Sequence, residues 1–167
     1  MQKFKDTWTR LHGLRGFVIW PIYKAGNYIY YKMECKILKY LLWYLYRLID
    51  MIVVRTFLNC EFPAQANIGK NLQIPHGGNG VIISINSVIG DNAIIFHQVT
   101  IGTNSFKSDK SPVIGNNCFI GCGAKILGDV KIGDNVRIGA NAVVINDIPS
   151  NSTAVGIPAQ VIFREGE

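Results

Sequence analysis

Charge is scarce in this 167-residue chain: 17% of residues are Asp, Glu, Lys or Arg against 49% hydrophobic. That excludes a disordered, acidic or collagen-like polypeptide. Cysteine is sparse too. Cys35, Cys60, Cys118 and Cys122 make no C-x-x-C pair and no dense framework, so they read as reduced thiols, with small-hydrophobe packing the expected role of Cys118 and Cys122. Long apolar runs are missing. The longest uncharged stretch within the aliphatic run 37–58 is the seven residues Tyr40–Tyr46, against roughly twenty for a membrane span. No small-residue cleavage site follows an early apolar run, so no secretory leader is expected and the chain is expected in the cytoplasm. The length suits one domain with an extension.

What is present is unevenly placed. Residues 1–60 hold ten Lys/Arg against three Asp/Glu, with all three Trp and all seven Tyr. Residues 61–167 hold seven Lys/Arg against eight acids and 14 of the 17 glycines. Two physically different segments therefore meet near Cys60. Residues 1–60 form a basic, aromatic segment and residues 61–153 a repeat region. The tail, residues 154–167, is expected to leave the repeat and cover its end.

The N-terminal segment reads as helix. Leu38, Leu41, Leu42, Leu45, Leu48, Ile49 and Ile52 recur at steps of three and four and make one apolar face over 37–58. An earlier helix is expected over 24–34, after Pro21. The aromatic, basic character fits either packing on the repeat region or on neighbouring subunits, or peripheral contact of residues 1–58 with an anionic membrane surface. Nucleic acid is not an expected partner, because the cations are interleaved with aliphatics and no reading motif occurs.

The region after Cys60 is a six-residue repeat. Residues 114–149 read IGNNCF, IGCGAK, ILGDVK, IGDNVR, IGANAV, VINDIP, and 83–106 read ISINSV, IGDNAI, IFHQVT, IGTNSF. Position one is Ile or Val in every hexad, and position five is small or branched in nearly all. IGKNLQ from Ile68 and IPHGGN from Ile74 extend the same frame. This period predicts a mainly β fold, a parallel β-helix of about four triangular coils, with the first and fifth positions inward and Gly, Asn and Asp at the corners. The frame slips between Phe106 and Ile114, which predicts a projecting loop over 103–113. Flat apolar sides predict oligomerisation.

The stretches IGCGAKILGDVKIG (120–133), IGANAVV (138–144) and AVGIPAQVI (154–162) resemble the hexapeptide-repeat acyltransferases with a left-handed β-helix, of the serine acetyltransferase type and its short polysaccharide-biosynthesis relatives. The resemblance covers about 100 residues, Glu61 to Ile162. It implies acetyl-CoA as acyl donor, no metal, and a homotrimer with grooves between adjacent coils. His76 takes the position of the general base and Glu61, fifteen residues earlier, that of the carboxylate that orients it. Such a pair suits the chemistry: a hydroxyl must lose its proton to attack a thioester, and an imidazole can take it while a carboxylate fixes the ring's tautomer.

Backbone N–H groups near Gly77 and Gly78 are then expected to hold the oxyanion. His97 stands at a position that is His or Gln in such enzymes; lining the same cleft and packing a turn both remain open for it. Gly102, Gly121, Cys122, Ala140, Asn146 and Gln160 correspond by position to the cofactor groove, with Lys125 as an additional cation. A metal site would need a third histidine, and the remaining one is His12. Two departures bear on the acceptor. Pro75 replaces an Asp before the base, and Asp109-Lys110-Ser111-Pro112 stands where serine enzymes have Asp-Arg-His-Pro. Lys cannot reproduce a bidentate guanidinium. The expectation is therefore an O-acetyltransferase acting on a sugar hydroxyl in cell-surface polysaccharide synthesis, with serine O-acetylation, or a non-enzymatic scaffold, as alternatives.

Overall fold

The computed structural model describes residues 14–104 and 109–163. Helix α1 (Leu14–Lys32) and helix α2 (Lys36–Ile49) come first, and α2 runs straight into an eight-residue π-helical segment, Asp50–Phe57. The expected start of the first helix after Pro21 is corrected: α1 begins earlier and carries Pro21 in its interior. A proline there forfeits one backbone bond. The flanking Ile19 and Tyr23, 0% and 1% exposed, hold the helix through packing instead.

The apolar stripe of α2 is not the face that packs on the coil. Leu38, Leu41, Leu45, Leu48, Ile49 and Ile52 are all exposed, Leu41 at 63%. The face that packs inward carries Trp43 and Tyr46. Tyr46 wins this position because its hydroxyl accepts the Ala64 N–H at 3.2 Å, a bond no leucine can offer. Its ring lies against Gly26 of α1, where a Cβ would overlap it.

From Glu61 the chain winds into a left-handed parallel β-helix with three flat sides. The first side stacks β1 (Asn67–Ile68), β3 (Val88–Ile89), β6 (Val113–Ile114) and β9 (Lys131–Ile132). The second stacks β2 (Ile82–Ile83), β5 (Thr100–Gly102), β8 (Lys125–Leu127) and β11 (Val143–Val144). The third stacks β4 (Ile94–Ile95), β7 (Phe119–Ile120), β10 (Arg137–Ile138), β12 (Ser152–Gly156) and β13 (Ala159–Phe163). Where the period is kept, a residue pairs with the one eighteen later, as Ile83 with Ile101 and Ile120 with Ile138.

The interior is the repeat made solid. Ile74, Ile95, Ile101, Ile120, Ile126 and Ile138 are fully buried at position one, and Ala93, Val99, Ala124, Val136 and Ala142 at position five. One corner is an asparagine ladder. Asn71, Asn92, Asn117, Asn135 and Asn151 all have φ between 56 and 59°, a region Asn tolerates. Their side chains bond in series at 2.9–3.1 Å.

Two insertions break the period. Val88 pairs with Val113, twenty-five residues on, so the slip after Phe106 is a seven-residue insertion; residues 105–108 of the expected loop lie outside the described residues. The second insertion corrects the reading of IPHGGN. Asn67 pairs with Val88, twenty-one residues on, so the turn after Ile74 is three residues too long for the hexad frame. The excess is a 3₁₀ turn, Pro75–Gly78, in which His76 and Gly77 take φ of 60° and 66°. Gly78 follows with φ of 66°, and three successive left-handed residues let the chain bulge outward and return to frame at Ile83.

The tail does not leave the repeat at residue 154, as expected. β12 stays in the third side, pairing parallel with β10, and Ala154 is buried. β13 then folds back on it antiparallel. Residues 164–167 of the tail lie outside the described residues.

Tyr23 fastens α1 to the first coil: its hydroxyl donates to the Ala66 carbonyl at 2.9 Å and accepts the Ile68 N–H at 3.1 Å. Tyr23→Phe leaves the Ile68 N–H without its acceptor and the Ala66 carbonyl with only the longer bond from Asn27, 3.4 Å, and should cost about 1–3 kcal/mol in urea denaturation. Burial pushes the Tyr23 hydroxyl up to about 12 from its ordinary 10. The neutral form is favoured by folding, so its contribution is intact below pH 10 and is lost as pH rises from 10 to 12. Stability measured against pH over that window should fall less steeply for Tyr23→Phe.

Candidate active site

The three-residue excess at Pro75–Gly78 sets the site. It lies on the corner where the third side turns into the second, and it carries the exposed His76. On the same corner one coil further, between β4 and β5, stands His97, whose ring meets that of His76 edge to face with centroids 5.0 Å apart. Phe96 flanks the pair, 6.2 Å from His76 and 5.2 Å from Phe119. His97 Nδ1 is buried and has no hydrogen-bond partner among the described residues. A buried ring nitrogen without a partner is uncommon, and the contact with His76 puts His97 beside the candidate base.

Glu61 begins the coil, in parallel register with Ile82. Its carboxylate is engaged by Arg55, at 3.0 Å from the guanidinium, and no hydrogen bond joins it to His76 among the described residues. The same guanidinium donates through Nε to Asp50 at 2.8 Å, and Asp50 is 4% exposed. The expected direct carboxylate–imidazole bond is thus replaced by a chain, Asp50–Arg55–Glu61. The π-helical segment is what allows it. Residues five apart share a face when the backbone closes on i→i+5 bonds, whereas in an α-helix they would diverge.

The expected oxyanion donors are corrected in one respect. The Gly77 N–H already donates to the Ile74 carbonyl at 3.0 Å, and Gly77 and Gly78 are buried. Arg15 of α1 lies across this turn, its side chain filling the space where a Cβ on Gly77 would sit. Its guanidinium reaches Asn79 at 3.2 Å.

The residues matched to the cofactor groove divide between two corners. Cys122 and Ala140 continue the His97 column up the third–second corner, with Gly121 beside them. Gly121 is needed there, because a Cβ would lie 2.7 Å from the Ala140 backbone nitrogen. Lys125 follows on β8, half-buried, with Nζ donating to the Gln98 carbonyl at 2.6 Å. Gly102 and Asn146 lie on the opposite margin of the second side, where a Cβ on Gly102 would meet nothing within 4 Å. Gln160 is exposed on β13, across from Val155. In one chain these residues do not form a single surface.

The 109–112 segment also sits at that opposite margin, on the second–first corner. Lys110 pairs with Asp129 at 2.5 Å, and the Ser111 hydroxyl lies 3.0 Å from that of Ser84. Among the described residues no group of three or more His, Cys, Asp or Glu could hold a metal ion; His12 lies outside them. Arg55, Asp50 and Phe96 are the participants that the repeat did not single out. Phe96 alone left a sign, replacing the glycine common at position two.

Residues 111–146 match the bacterial transferase hexapeptide family (six repeats). The chain is 46% identical over 114 residues to a serine acetyltransferase of Helicobacter pylori, covering 68% of this chain and 66% of that one. Among solved structures it is similar to soybean serine acetyltransferase complexed with serine, with a TM-score of 0.76 and 31% identity over 89% of this chain and 57% of that one. It is also similar to the Brucella abortus enzyme in complex with coenzyme A, with a TM-score of 0.75 and 28% identity over 92% and 58%. The chain spans about two thirds or less of the length of these relatives.

Arg55→Met should leave Asp50 buried without its partner and release Glu61. We expect a loss of about 2–3 kcal/mol in urea denaturation, below the range for fully buried pairs because the guanidinium is half exposed. Arg55→Lys should recover only a fraction of it, since a lysine cannot bridge two carboxylates with a planar fork.

Proposed function

The chain belongs to the hexapeptide-repeat transferases, and on that premise we propose that it is an acetyl-CoA-dependent O-acetyltransferase with His76 as general base. The observation that carries this reading is the outward turn at Pro75–Gly78, which sets His76 against His97 and its unpartnered Nδ1. His76 takes the proton of an acceptor hydroxyl while that oxygen attacks the thioester carbonyl. The tetrahedral adduct collapses with loss of the thiolate, and the imidazolium returns the proton to sulfur. His97 faces the same space and can donate to the oxyanion or hold the acceptor. Glu61 acts from the coil entrance, its carboxylate kept in place by Arg55.

The donor reading draws on the coenzyme A complex of the Brucella relative and on the backbone of the third–second corner. There Gly121 and Ala140 leave a flat surface on which an extended pantetheine arm can lie. The other matched residues, Gly102 and Asn146, lie a full side away. A groove using both margins needs a second coil, with the second–first corner of one subunit against the third–second corner of the next. That arrangement favours a homotrimer, and exposed Ile82, Ile85, Val113 and Ile145 on the sides suit burial between coils.

For the acceptor, L-serine has the better support, since the relatives named above are serine acetyltransferases. A sugar hydroxyl remains a second reading on two observations: Lys110, in the place of an arginine, is engaged by Asp129, and Pro75 removes an acid. Both changes weaken capture of an amino acid's charged groups.

His76→Asn should lower kcat by a factor of about 10²–10⁴ in a CoA-release assay, with the fold intact by circular dichroism. Unchanged turnover would refute the general-base role. Assayed side by side, L-serine should be acetylated in preference to a panel of free and lipid-linked sugars; the reverse preference would move the assignment to the sugar reading.

A further inference from the structure

The apolar stripe of α2 has no partner in the fold. Ile37, Leu41, Leu45 and Leu48 lie on it at successive turns and are 78%, 63%, 53% and 50% exposed. A soluble monomer rarely shows so many large aliphatics side by side. The stripe continues along the π-helical segment through Met51 and Ile52, 53% and 43% exposed.

One edge of the stripe has a distinct make-up. Lys36, Tyr40, Tyr44 and Arg47 follow one another at steps of four, four and three, so they line up along the helix. The two tyrosines meet edge to face with centroids 4.8 Å apart, and their hydroxyls are 3.0 Å from each other. An aliphatic stripe bordered by tyrosine hydroxyls and long cations matches the layering of a lipid interface, where acyl chains give way to glycerol and then to anionic headgroups.

Charge decides between occupants. The described residues 14–58 contain seven Lys/Arg and two acids, Glu34 and Asp50. Asp50 is buried and paired with Arg55, so Glu34 alone among these acids stands at the surface. A second copy related by a two-fold axis would set this cationic helix against its equivalent and oppose like charges; burial against a neighbour of the proposed trimer is the competing occupant that the test below reads by mass. An anionic bilayer is complementary to both the aliphatic stripe and its cationic edge. No described helix is long and apolar enough to cross a membrane, so the helix would lie on the surface.

We propose that α2 and the π-helical segment dock the protein peripherally on an anionic phospholipid surface, with Ile37, Leu41, Leu45 and Leu48 inserted and Lys36 and Arg47 at the headgroups. The inference stands apart from the acetyl-transfer reading, because none of the residues it inserts or sets at the headgroups is assigned there.

The test is flotation of the full chain with phosphatidylcholine vesicles, with and without phosphatidylglycerol. The protein should rise with the phosphatidylglycerol vesicles alone, and less as salt is raised. Lys36→Glu with Arg47→Glu should reduce binding by roughly fivefold per cation removed. Leu41→Ser with Leu48→Ser should abolish it, with circular dichroism unchanged. Absence of flotation, or equal flotation with both vesicle types, would overturn the proposal. So would a leucine variant that still floats but has a lower mass by light scattering, since the face would then be an interface between copies of this chain.

Discussion

A coil of two-residue strands is held together by what it encloses. Each strand in the three sides is too short to be stable alone, and β1 to β11 each contribute one branched side chain to the axis. Ile74, Ile95, Ile101, Ile120, Ile126 and Ile138 stack there with no exposed surface. Burying each contributes roughly 1.5–3 kcal/mol, and the backbone ladders can form only once that column is filled. The constraint is strict in one direction. Any residue may stand at an outward position, but the first of each hexad must be a branched aliphatic and the fifth must fit the triangle, as buried Ser87 does at 1% exposed.

That strictness bears on where the candidate site lies. A continuous hexad frame offers flat sides and tight corners. Departures from that surface come where the frame is broken. The three extra residues at Pro75–Gly78 push His76 out of the wall, and the seven extra after Gly102 interrupt the frame at the other margin of the same side. Neither insertion disturbs the axis, because each returns to register with an isoleucine, Ile83 and Ile114, both buried. The frame carries the stability, and the departures from it are free to carry function.

The helical segment is joined to the coil by polar atoms more than by its aliphatic stripe. Tyr23 and Tyr46 reach backbone groups of residues 64–68, and Asn27 donates to the Ala64 carbonyl at 2.8 Å. Arg55 extends the same logic to Glu61. These bonds turn α2 so that its aromatic face points inward and its leucines outward, which gives the molecule an apolar face outside the coil's closed core.

The coil, its inward residues and its asparagine corner were legible in the linear order, because a six-residue period leaves one arrangement that buries every sixth side chain. His76 and His97 could be singled out by resemblance and by composition. Their contact could not, since it depends on the length of the turn after Ile74 and on which corner each ring occupies. The partner of Glu61 was equally hidden: Asp50 and Arg55 are five residues apart, a spacing that shares a face only in a π-helix. Nor could periodicity say which side of α2 faces inward, because leucines and aromatics both recur at helical steps. The choice fell to hydrogen-bonding atoms at the ends of tyrosine rings, and those find their partners only when the coil is already in place.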